Sequence, residues 1–131
     1  MASNYAALAL TADVSGKILG SLDVSIASAS TSLTHAVVMD AISQLQGVTL
    51  KPHSDGQYLD LEGPEGTYTE LSLNHLDSDG SIGFRGGHTE LIHAVLSHCA
   101  GCVGSIVLLD GSGDDLIVFE QDGSSRTIES R

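Results

Sequence analysis

Tryptophan is absent and aromatic residues make up only 4% of the chain, so any core must be assembled from Leu, Ile, Val and Ala. Cysteine is limited to Cys99 and Cys102, too few for the disulfide framework of a small secreted domain. Positive charge is scarcer still. Lys17, Lys51, Arg85, Arg126 and Arg131 stand against 17 acidic residues, giving a formal net charge of -12. A surface of that sign keeps the chain soluble, repels a phosphate backbone over most of its area and suits basic protein partners. No apolar run approaches the roughly 18 residues needed to span a bilayer, which excludes a membrane partner of that kind. The opening residues MASNYAALAL carry no basic group ahead of their apolar run, so they fit neither a secretory signal nor a transit peptide. The expected location is intracellular, cytoplasmic or nuclear or within a virus particle, and not secreted.

What the chain does have is ample apolar content, 41% over 131 residues, enough for one domain that folds without staples. It also has a stretch that occurs twice in outline. Ile92 to Gly123 reads as an apolar helix, a glycine stop and two strands joined by a tight turn, and Thr34 to Gly66 has the same outline. His35-Ala36-Val37 falls on His93-Ala94-Val95, Gly47 on Gly104, Gly56 on Gly113 and Gly66 on Gly123. One residue of offset separates the helix register from the strand register.

Taken in order, residues 1–20 form an arm or extra strand, apolar from Tyr5 to Leu10 and broken at Ser15-Gly16-Lys17 and Gly20. Leu22, Val24 and Ile26 alternate with Asp23 and Ser25, the period of a half-buried strand. Ser28 to Ser32 offer caps for a helix over about 32–46, whose apolar stripe is Leu33, Val37, Val38, Ala41, Ile42 and Leu45. Strands are expected over 48–52 and 57–62 around an Asp-Gly turn, then over 68–74 and 81–85. A second helix from Thr89 to Gly101 or Gly104 buries Ile92, Val95, Leu96 and Cys99, and strands follow over 105–109, 115–120 and 125–130. The expected fold class is α+β: internally duplicated β-α-β-β-β units, about 21–74 and 81–130, in a single domain over 21–131, with two helices packed on antiparallel sheets.

Chemical signatures are sparse. Cys99 and Cys102 with His93 and His98 supply one Cys-x-x-Cys without the second pair of a zinc site, and Cys99 falls on the buried stripe. His53 and His75 read as surface residues at a turn and a strand end. The acidic-glycine runs lack the spacing of a calcium loop and match hairpin turns. Gly83-Phe84-Arg85-Gly86-Gly87 has neither a Walker lysine nor a dinucleotide fingerprint, and no serine stands in a nucleophile elbow. No catalytic residue, metal ligand or cofactor is therefore assigned, and no enzymatic activity is expected.

The run VTLKPHSDGQYLDLEGPEGTYTELSL, with SIGFRGGHTELIHAVLSHCAG and SIVLLDGSGDDLIVFEQ, resembles the DNA sliding-clamp fold shared by the bacterial β clamp, proliferating cell nuclear antigen and the checkpoint clamp. The resemblance spans about Ser21 to Ser130 and rests on element order and spacing. It implies a ring of several copies, with helices lining a central hole. Ser32, His35, Ser43, His93 and Ser97 would face inward, and Tyr5, Leu8, Leu10, Thr127 and Ile128 would form the contacts between copies. Clamp helices present lysine and arginine to DNA, whereas these positions carry no permanent cation, so any DNA contact is weak. The loop Glu62 to Gly66, where clamps seat partner peptides, is acidic and offers no apolar anchor. The function implied is a non-enzymatic, homo-oligomeric scaffold or accessory factor in DNA replication or repair that binds itself and other proteins. Two other readings stand beside it: an acidic inhibitor of immunity or phage anti-defence type that neutralises a basic partner, and a virion or assembly protein.

Overall fold

In a computed structural model, residues 4–11, 29–54, 58–73, 76, 80–86, 89–110 and 115–129 are described. They form strand β1 (Asn4–Ala9), helix α1 (His35–Ser43), β2 (Thr49–Pro52), β3 (Tyr58–Glu62), β4 (Tyr68–Ser72), β5 (Ser81–Arg85), helix α2 (Thr89–Val103), β6 (Ile106–Asp110), β7 (Asp115–Phe119) and β8 (Ser125–Glu129). A short 3₁₀ turn, Pro64–Gly66, links β3 to β4. The α+β class holds, with the strands joined into one eight-stranded antiparallel sheet, order β2-β3-β4-β5-β1-β6-β7-β8. No helix among the described residues is long and apolar enough to cross a membrane.

Each element follows from its local sequence. Thr34 caps α1, its hydroxyl accepting the Val37 N–H at 3.2 Å, two residues beyond the serine-threonine cluster expected to do so. Val38, Ala41 and Ile42 turn inward from α1, while Leu91, Ile92, Val95, Leu96, Cys99, Ala100 and Val103 do so from α2. The helices pack on each other, and α2 also lies over β1, β4, β6 and β7. Beneath them sit Ala7 and Ala9 of β1, Leu59 and Leu61 of β3, Leu71 of β4, Ile82 and Phe84 of β5, and Ile106, Leu108 and Phe119 of β6 and β7. The buried hydroxyl of Thr69 is satisfied by the Gly86 carbonyl at 3.1 Å.

Of the residues expected as an arm or extra strand, Asn4 to Ala9 are a strand, and it lies in the middle of the sheet, paired with β5 (Ala6↔Gly83) on one side and β6 (Ala7↔Leu108) on the other. Tyr5 and Leu8 therefore cannot serve as an edge, and Leu10 is fully buried. The physical reason is legible in Tyr5-Ala6-Ala7-Leu8-Ala9-Leu10: a near-continuous apolar run suits a strand covered on both faces better than an exposed one. Thr127 and Ile128 do lie on an edge strand, β8. The strand expected over 22–27 lies outside the described residues, as do the turn glycines Gly56 and Gly113.

The two meanders share their spacing position for position. Tyr58–Glu62 and Tyr68–Ser72 recur as Asp115–Phe119 and Ser125–Glu129. The pairing Thr49↔Glu62 recurs as Ile106↔Phe119, and Tyr58↔Ser72 as Asp115↔Glu129. Gly47 and Gly104 take φ of 74° and 105° just past the two helices. Their facing differs, however. Leu59, Leu61 and Leu71 point toward the helices, whereas the corresponding Leu116, Val118 and Ile128 join Leu10 and Val107 in a separate apolar cluster on the opposite face. The order of strands is also not preserved when the halves are exchanged, since β5 adjoins β4 while β1 adjoins β6 rather than β8.

Candidate functional site

The connection from β3 to β4 has a defined shape. The Gly63 N–H donates to the Thr67 carbonyl at 2.8 Å, and the Thr67 N–H and hydroxyl both donate to the Pro64 carbonyl, at 3.2 and 2.8 Å. Between them Glu65 adopts φ 61°, ψ 28°, a left-handed conformation that a side chain disfavours. A Cβ on Gly63 would collide with the Thr67 hydroxyl and push it from its bond to the Pro64 carbonyl.

This loop forms one wall of a cleft of about 610 Å³. Leu45, Gln46 and Val48 from the end of α1, and Glu90, Leu91 and Ala94 from the start of α2, supply the others. Pro64, Glu65 and Thr67 complete the lining from the loop. The apolar anchor that the acidic loop was expected to lack is thus provided by its neighbours: Leu45, Val48, Leu91 and Ala94 present hydrocarbon beside two carboxylates. The volume lies in the range of small-ligand and peptide pockets. On the loop's other side, Thr49, Glu62, Gly66, Thr67 and Tyr68 line a more polar depression of about 420 Å³. Tyr68 is 51% exposed, the most exposed large apolar side chain among the described residues.

The residues expected to face inward from the helices differ in exposure. Ser32, His35 and Ser43 are exposed, and the Ser43 hydroxyl is engaged by the Asp40 carbonyl at 2.7 Å. His93 instead leans on the sheet, its ring edge-on to Phe119 with centroids 5.2 Å apart. Burial holds the His93 imidazole below its ordinary pKa of 6.5, with Glu90 opposing that shift. Ser97 is half-buried. Cys99 is fully enclosed and its thiol is pushed up to about 12, chiefly by burial, while Cys102 and His98 are exposed.

A grouping that sequence spacing did not bring out lies on the face of the sheet turned away from the helices. His53, just past β2, meets Asp60 of β3 with Nε2 and Oδ1 3.1 Å apart. Glu70 of β4 is the direct register partner of Asp60. One ligand atom from each of His53, Asp60 and Glu70 lies within 4.8 Å of the others. Two ion pairs flank them, Lys51 to Glu62 at 2.8 Å and Arg85 to Glu70 at 3.0 Å. The alternation of each strand carried the signal, but reading it required the ladder register. No family model, curated protein or solved structure matches the chain.

Proposed function

We propose that this chain is a non-enzymatic docking scaffold that receives a short partner segment in the cleft between the ends of α1 and α2 and the β3–β4 loop. The segment would place an apolar side chain against Leu45, Val48 and Leu91 and a basic residue beside Glu65 or Glu90. The observation that carries the reading is the cleft itself: hydrocarbon walls under a carboxylate rim, with no lysine or arginine in the lining, on a chain of net charge -12. Apolar burial supplies affinity in such a groove and the rim charges select the partner.

The finer architectural reading is a duplicated, sliding-clamp-like unit acting as a homo-oligomeric accessory factor of replication or repair. The β-α-β-β-β order run twice supports it, as do the equal lengths of β3 and β7 and of β4 and β8 and the shared registers of the two meanders. The reversed facing of the second meander and the strand order, in which β1 adjoins β6 rather than β8, are where the chain departs from a simple copy. The helices expose Asp40 and Glu90, so the surface favours basic protein over DNA.

Selection of random short peptides on the immobilised chain tests the docking reading. Enriched sequences are expected to combine an aliphatic or aromatic anchor with Lys or Arg, and to lose at least about tenfold in affinity for a variant of the half-buried lining residue, Val48→Arg. Peptides that bind this variant equally well would remove the cleft as the site. Mass measured in solution with and without duplex DNA tests the oligomeric part. A closed assembly supports it, and a persistent monomer leaves a one-chain docking module.

A further inference from the structure

We propose that His53, Asp60 and Glu70 form a binding site for a divalent transition-metal ion of the Zn²⁺ class on the face of the sheet turned away from the helices. The three donors come from successive strands, so the ladder itself sets their spacing. His53 is fixed at the backbone where its N–H donates to the Tyr58 carbonyl at 2.8 Å. Asp60 and Glu70 sit opposite each other across β3 and β4. Bonds of about 2.0–2.2 Å from one ion put neighbouring donors roughly 3–3.5 Å apart. The His53 and Asp60 atoms are already 3.1 Å apart, and all three donors fall within 4.8 Å, so small side-chain adjustments close the set on an ion.

The charge inventory of the patch also calls for a cation. Among the described residues, Asp60, Glu62 and Glu70 are paired with two permanent cations, Lys51 and Arg85, so the carboxylates outnumber them by one. Arg85 pairs with Oε1 of Glu70, and a carboxylate can keep one oxygen for such a hydrogen bond and give the other to a metal. That arrangement orients a ligating carboxylate. Imidazole selects against Mg²⁺ and Ca²⁺, which take all-oxygen ligand sets, and favours Zn²⁺ and its neighbours. The side chains of His53 and Asp60 are 37% and 46% exposed, so water completes the coordination shell. Binding would add a tie between the end of β2, which among the described strands pairs with β3 alone, and both β3 and β4.

Titrating metal-stripped protein with Zn²⁺ by calorimetry tests the proposal. One equivalent is expected to bind saturably and to raise the melting temperature, and Mg²⁺ is expected to do neither. His53→Ala and the near-isosteric Asp60→Asn should each weaken Zn²⁺ binding at least about tenfold. His98 and Cys102 are exposed and four residues apart on α2, a spacing that can hold Zn²⁺, so a His98→Ala, Cys102→Ser variant serves as the control and should bind as the wild type does. Unchanged Zn²⁺ binding in both His53→Ala and Asp60→Asn, loss of binding in the control variant, or no saturable binding would each overturn the assignment.

Discussion

His93 packs edge-on to Phe119 and is partly withdrawn from water, and its imidazole titrates below 6.5 as a result. A histidine whose folded pKa is depressed contributes stability that is fully present above the unfolded value and lost as pH falls through the folded one. Denaturant midpoints of the wild type are therefore expected to drop as pH goes from above 6.5 to below it, more steeply than those of His93→Leu. Equal slopes would mean that His93 meets water in the native state. The same residue illustrates what a one-dimensional reading misses. His35-Ala36-Val37 and His93-Ala94-Val95 are identical text, yet His35 opens α1 in solvent while His93 lies a full turn into α2 against the sheet. Cys99, by contrast, was legible, because its place on the apolar stripe of α2 already implied enclosure. Its raised pKa follows from that enclosure and leaves exposed Cys102 as the more reactive thiol.

At the scale of elements, the described strands declared themselves through alternation, and the turn after β3 through Gly63-Pro64. The hairpins and both helices appear within a few residues of where periodicity puts them. The cleft did not, because its walls come from three places far apart in the chain: the end of α1, the β3–β4 loop and the start of α2. The metal triad stayed hidden for a similar reason, since only the pairing of β2, β3 and β4 aligns its members. The loop beside the cleft holds Glu65 at positive φ, which for a residue with a Cβ costs about 1–2 kcal/mol. Glycine relieves that cost but adds freedom to the unfolded chain, worth about 0.4–1 kcal/mol in the other direction. Glu65→Gly is accordingly expected to raise stability by about 0.5–1 kcal/mol, read as a higher urea midpoint at unchanged slope. It should also weaken docking of a basic peptide, because a rim carboxylate is gone. A fall in stability would mean that contacts of the Glu65 side chain hold the turn.

For the molecule as a whole, a net charge of -12 means that like charges repel in the compact state. The exposed pairs Lys51–Glu62 and Arg126–Glu120 offset little of this, since such pairs are worth about 0–1 kcal/mol each. Screening should therefore help more than it harms. Raising NaCl from about 10 mM to about 1 M shortens the Debye length from about 30 to about 3 Å. The melting temperature is expected to rise by several degrees over that range, and a flat or falling profile would show that local ion pairs outweigh the global repulsion.

The position of β1 has a consequence for how the chain reaches its native form. A ribosome releases Asn4–Ala9 long before either β5 or β6 exists, so this greasy ribbon has no native strand to pair with until most of the polypeptide has emerged. Contacts that span so much sequence make for slow assembly. Until then β1 waits without a native partner beside the first meander, and any factor that shields an unpaired apolar strand during synthesis would govern the yield of folded product.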